Sequence, residues 1–187
     1  YSLKVFSVSN AANGFLQLIG GNLVFTPTPH FSGSASFDYY VTDDKSGVDK
    51  GVVNIKVNPV NDAPVVTVGA EFSYSENTLS VVVNANGTVS DIDSPDFNGG
   101  SLKVGFASNG TASDQLGLQN QGSGAGQIGV GAGLVSYEGT TIGTFSGGSN
   151  GTDLVISFNS AAATPAAVQA LVRNVSYTNT SENPASG

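Results

Sequence analysis

Residues 53–66, VNIKVNPVNDAPVV, alternate apolar and polar side chains up to Val57, break into a polar run between Pro59 and Pro64, and resume as a second apolar run. Alternation with period two marks a strand with one buried face. Proline cannot continue a central strand and stiffens the segment it sits in. The chain is therefore expected to hold two runs of β-structure joined by a short, stiff junction. At 187 residues it is long enough for two small domains. We expect a first domain over residues 1–62 and a second over 63–187.

On both sides of the junction the apolar runs are short and separated by turn signals. Strands are expected at 3–8, 15–19, 22–26, 36–42 and 52–57, with turns at Asn13-Gly14, Gly20-Gly21-Asn22, Pro27/Pro29 and Lys45-Ser46-Gly47. Beyond it they are expected at 65–68, 79–83, 102–106, 128–130, 134–137, 141–145, 154–158 and 175–178. One segment, ATPAAVQALVRN, reads differently. Thr164 suits a helix N-cap and Pro165 the first helical position, and Val168, Leu171 and Val172 form an apolar stripe that ends near Arg173. This predicts an all-β chain of two sandwiches in tandem, with one short helix packed on the second. The first run is short for a sandwich, and the ends YSLKVF and NPASG read as cut from a longer chain.

Composition narrows the chemistry. Apolar residues make up 39% and charged ones 11%, enough for packed cores and too few charges for a disordered polyelectrolyte. The net charge of −8 repels phosphates and anionic lipid, so nucleic acid is not an expected partner. No apolar run is long enough to span a membrane, so no membrane insertion is expected. The absence of Cys removes disulfides and thiolate chemistry.

Three segments carry a family resemblance: the Pro27–Gly33 stretch PTPHFSG, the strand end YYVTD from Tyr39 to Asp43, and VNDAP from Val60 to Pro64. Together they resemble the end of a bacterial cadherin-like tandem repeat, and residues 139–184 resemble a longer relative found in giant calcium-binding surface proteins. The resemblance implies cadherin- or immunoglobulin-like sandwiches, the first being the C-terminal part of a repeat and the second truncated at its C-terminus. It also implies calcium between repeats. Asn61 and Asp62 match the Asn-Asp pair of the cadherin linker, and Asp91, Asp93 and Asn98 in SDIDSPDFNGG stand at comparable spacing to the ligands of the following domain. Glu76 resembles the glutamate offered to the downstream junction, and Asp43 the strand-end aspartate that faces the upstream one.

The physical case is that calcium takes about six to eight oxygen ligands. In extended backbone, residues two apart such as Asp91 and Asp93 point the same way. There are departures. The linker is one residue shorter than the cadherin one and has Asn58 where aspartate is expected, and the first domain has no Asp-x-Glu.

Other motifs are weaker. GAGQIG, residues 124–129, fits G-x-G-x-x-G but lacks the strand before it and the helix after it, so it reads as a loop. His30 is the single histidine and reads as a turn residue; a zinc site or a Ser-His-Asp triad has no support around it. Sequons occur at Asn86, Asn109, Asn150, Asn174 and Asn179, three of them as Asn-Gly-Thr turns. The expected function is a non-catalytic structural or adhesive repeat of a large bacterial protein, secreted or on the cell surface. Its partners would be neighbouring repeats and a cell-surface protein or glycan. The alternative is a carbohydrate- or protein-binding module that uses the second-domain loops.

Overall fold

A computed structural model describes residues 3–19, 22–43, 45–69, 71–108 and 110–182. The expected turn at Gly20-Gly21 and the sequon at Asn109 lie outside them. The described residues are all-β apart from one eight-residue helix, and the chain divides into two compact units, Tyr1–Asp62 and Ala63–Gly187.

In the first unit, β1 (Lys4–Ala12), β4 (Gly33–Thr42) and β5 (Val48–Val57) form an antiparallel sheet in the order β1-β4-β5. Strands β2 (Gly14–Ile19) and β3 (Asn22–Pro27) form a separate hairpin. The alternation of β5 works as expected: Val53 and Ile55 lie opposite Phe37 and Ala35 on the inner face, where Phe37 stacks with Phe25 of the hairpin at 6.1 Å. Two large rings find room because the neighbouring strand carries glycine. A Cβ at Gly51 would run into the Tyr39 ring, and one at Gly14 into that of Phe25. Strand β4 begins three residues earlier than the expected 36–42, because Gly33 to Ala35 continue the register with β5.

The second unit is built on a five-stranded antiparallel sheet: β11 (Ile128–Gly131), β12 (Leu134–Tyr137), β13 (Thr140–Gly147), β14 (Leu154–Phe158) and β9 (Ser101–Val104). A three-stranded sheet of β10 (Asp114–Leu118), β15 (Val175–Asn179) and β7 (Val81–Val82) and a pair of β6 (Val65–Thr67) with β8 (Thr88–Ser90) complete it. Val135 lies opposite Gly143 and Ser136 opposite Thr141, so Ile142 is an extra residue in β13. This β-bulge buries Ile142 beside Leu154, Ile156 and Phe158 of β14.

Helix α1 (Pro165–Val172) closes that core with Ala167, Val168, Leu171 and Val172. It is capped as its sequence demands, Thr164 Oγ1 accepting from Ala167 N at 3.3 Å. Arg173, near which the apolar stripe ends, lies just past the last turn. It is the C-cap, and its Nε donates to Gly87 O at 2.7 Å, tying the helix end to the turn before β8. Gln169 Oε1 accepts from Val89 N at 3.3 Å on the same strand.

Two further expectations change. The strand expected over 79–83 contracts to Val81–Val82, and that over 102–106 moves to Ser101–Val104 because Gly105 leaves the sheet against the Asp153 carboxylate. Strands β8 and β10 were not expected at all. One is three residues long, and the other, DQLGL, mixes polar residues and glycine into its alternation.

Candidate functional site

The junction acids sit in turns that their own side chains close. After β4, Asp43 Oδ1 accepts from Lys45 N at 2.8 Å and Gly47 N at 2.7 Å, which shapes the β4–β5 loop. At the end of the first unit, Asp62 Oδ2 meets His30 Nδ1 at 2.8 Å, and Asn61 Nδ2 donates to the Asp62 carbonyl at 2.8 Å. The ring belongs to a tight turn: His30 has φ of 60°, and Phe31 N donates to Thr28 O at 3.1 Å. His30 is thus a turn residue, and it also holds the last residue of its unit.

In the second unit, residues 91–100 form two successive side-chain-closed turns. Asp91 Oδ1 accepts from Asp93 N at 3.3 Å and Ser94 N at 3.1 Å, and Asp96 Oδ1 accepts from Asn98 N at 3.0 Å. Burial pushes the Asp91 carboxyl upward, but hydrogen bonds from the backbone N–H groups and side chains of Asp93 and Ser94 outweigh it and hold the group below the ordinary range. The loop is anchored by Phe97 N to Ala163 O at 2.9 Å and Gly99 N to Phe158 O at 3.0 Å. Glu76 lies in a different turn, where Thr78 N donates to Ser75 O at 3.2 Å and the Tyr74 hydroxyl reaches Asn179 O at 3.2 Å.

The structure therefore brings Asp91, Asp93 and Asn98 into one loop, puts Glu76 in another, and keeps Asn61, Asp62 and Asp43 in the first unit. Carboxylate and amide oxygens suit a hard cation. Among the described residues, no three His, Cys, Asp or Glu side chains gather into a metal-sized group.

Sequence reasoning missed a buried carboxylate of the second unit. Asp114, 7% exposed, accepts at Oδ1 from the Tyr177 hydroxyl (2.6 Å) and Asn179 Nδ2 (2.7 Å), and at Oδ2 from Thr111 N (2.7 Å) and Thr111 Oγ1 (2.8 Å). Burial raises its pKa, and these four donors more than reverse the effect, bringing it to about 2. Tyr177 moves the other way, raised by burial and by the anion beside it. Phe72, Tyr74 and Phe106 surround its ring at 5.0–6.1 Å. The signal was present in the spacing: Thr111-x-x-Asp114 is a self-closing turn, and Tyr177-x-Asn179 share one strand face.

A smaller arrangement in the first unit was also missed. Asp38 Oδ2 meets Lys50 Nζ at 2.8 Å and accepts from Asn10 Nδ2 at 2.6 Å. Lys50 and Asn10 lower the Asp38 pKa, and Asp38 raises that of Lys50.

The GAGQIG loop is not a loose one. Gln127 Oε1 accepts from Gly124 N at 2.8 Å and Glu138 Oε1 from Gly126 N at 2.7 Å. Asn120 Oδ1 and Gln121 Oε1 take the N–H groups of Val130 and Ile128 at 3.1 Å each, sealing the outer edge of β11 against pairing with another strand.

Residues 1–56 match the family model of a bacterial Ig domain. The likeness is to an Ig-like bacterial domain, and the calcium-binding cadherin type expected from the sequence is a finer statement that this match does not reach. Searches of curated proteins and of solved structures return no match. Among the described residues, no helix is long and apolar enough to cross a membrane.

Proposed function

We propose that this chain is an extracellular repeat segment of a large bacterial surface or secreted protein, acting as a spacer or adhesive element and not as a catalyst. The observation that carries the reading is the bacterial Ig domain match over residues 1–56. It is supported by the division of the chain into two compact units of antiparallel sheet. Antibodies raised against the chain should label intact cells that carry the parent protein. Labelling that appears only after lysis overturns the reading.

The finer proposal is calcium-dependent stiffening at the junction, with Asn61, Asp62, Asp91, Asp93 and Asn98 as donors and Asp43 and Glu76 serving the neighbouring junctions. Extracellular calcium modules bind at roughly 10⁻⁴–10⁻³ M. At ten times such a Kd the stabilisation is about 1.4 kcal/mol per site. Melting curves with millimolar calcium and with chelator should differ by a few degrees, and Asp93→Ala should remove the difference. Coincident curves sink the calcium proposal and leave the spacer reading standing.

A further inference from the structure

Asn-Gly pairs are the sequences most prone to succinimide chemistry. The glycine nitrogen gives up its proton and attacks the asparagine Cγ, and the C–N bond to the side-chain nitrogen breaks with loss of ammonia. Water then opens the ring to aspartate or isoaspartate. No oxidant or cofactor is needed. The attack requires a glycine nitrogen that is not donating its proton elsewhere and a backbone able to bring it onto Cγ.

Three such pairs in the second unit have exposed asparagines: Asn86-Gly87, Asn98-Gly99 and Asn150-Gly151. In each, the glycine N–H is held by a backbone carbonyl. Gly87 N donates to Asn84 O at 3.2 Å, Gly99 N to Phe158 O at 3.0 Å, and Gly151 N to Asp114 O at 2.9 Å. The last two acceptors belong to strands of the unit, and Phe158 is part of its buried core. The Asn98 and Asn150 backbones are fixed as well, their N–H groups donating to Asp96 Oδ1 at 3.0 Å and Gln115 Oε1 at 3.3 Å. The Gly87 carbonyl accepts from Arg173 Nε at 2.7 Å, so that turn is clamped to the helix.

We propose that these three asparagines are latent modification sites, closed to deamidation while the second unit is folded and open when it unfolds. Each reaction is irreversible and adds a carboxylate, so it leaves a permanent record of an opening event. At Asn98 the new charge would stand beside Asp96, and at Asn150 the backbone shift of an isoaspartate would break the turn onto Asp114.

The test is peptide mapping by mass spectrometry of the whole chain incubated at mildly alkaline pH, with and without denaturing urea. In urea all three sites should convert at comparable rates. In the folded chain conversion should be at least about tenfold slower, because it must wait for an opening. Leu171→Ala, which loosens the core around α1, should speed conversion at Asn98 and Asn150 severalfold. If that variant does not fold, wild-type chain in graded urea replaces it, and conversion must track the unfolded fraction. Equal rates in folded and denatured chain, or rates that ignore core loosening, overturn the proposal.

Discussion

The two units use the same strand vocabulary and reach very different degrees of closure. Among the described residues, the first unit buries the apolar side chains of Ala35 and Phe37, whereas the second buries a cluster running from Val89 through β11–β14 and α1 to Val175. Phe6, Phe15, Ile19, Val48 and Val52 of the first unit are each more than half exposed. A unit of about 60 residues hides a smaller share of its surface than one twice as long. Size is only part of the difference. The second unit has a helix laid on its sheets and a bulge that turns Ile142 inward, and the first has a hairpin whose Phe25 stacks on Phe37. Alternation of apolar residues makes a sheet, and it is the element laid over the sheet that makes a core.

The sharpest way to break this comparison is to remove one anchor from each unit. Phe37→Ala should cost about 3–5 kcal/mol, as aromatic truncations in cores do, and unfold the first unit outright. Leu171→Ala should cost about 2–5 kcal/mol and leave the second unit folded but less stable. Both are read by urea denaturation with tyrosine fluorescence and by hydrogen exchange in each half. A first unit that tolerates Phe37→Ala with a loss below about 1 kcal/mol would show that its core lies elsewhere.

Asp114→Ala comes next. It strands the Tyr177 hydroxyl, Asn179 amide and Thr111 donors, and should cost about 2–4 kcal/mol. Native Asp114 also sets the acid response of the second unit. Its folded pKa of about 2 lies below the ordinary 3.8, so its stabilisation is full above 3.8 and is lost as pH falls towards 2. Denaturation midpoints measured down that range should fall in the native chain and flatten in Asp114→Asn.

The first unit should respond on two sides. Asp38 is lowered, so its contribution disappears in acid below 3.8; Lys50 is raised, so its contribution is present below 10.5 and disappears as pH climbs beyond that. Lys50→Gln should remove the alkaline arm. Survival of that arm in the variant would assign it to another group.

The smallest expected effect is Gly51→Ala, at about 1–3 kcal/mol, because the new methyl displaces the Tyr39 ring from its seat. Gly51→Ala with Tyr39→Leu should recover most of the loss, measured as a double-mutant cycle. Additive losses would mean that the ring and the glycine do not meet.

Much of this was legible in the residues. The period-two pattern of β5 and β14, the Thr164-Pro165 start of α1 and its Val168/Leu171 stripe are local signals, and local signals survive folding wherever packing agrees with them. Legibility failed where a partner did the work. Nothing in DQLGL announces a strand until β15 lies beside it, and the short segment Thr88–Ser90 becomes one because β6 pairs with it. The candidate site divides in the same way. Asp43 and Asp91 were singled out as cation donors, at a strand end and in extended backbone, and the local turns that their side chains close were not read. Asp114 was passed over because its donors come from 63 and 65 residues away as well as from Thr111.

By itself the sequence determined the strand-rich class, the helix with its cap and the net charge of −8. These depend on backbone preference and side-chain type within a few residues. Tertiary structure decided that Asp114 would collect donors from β15, that Arg173 would clamp the Gly87 carbonyl, and that Asn120 and Gln121 would seal the edge of β11. The first two depend on partners brought from 63 to 86 residues away, and a buried polar group takes whichever partner the fold brings to it.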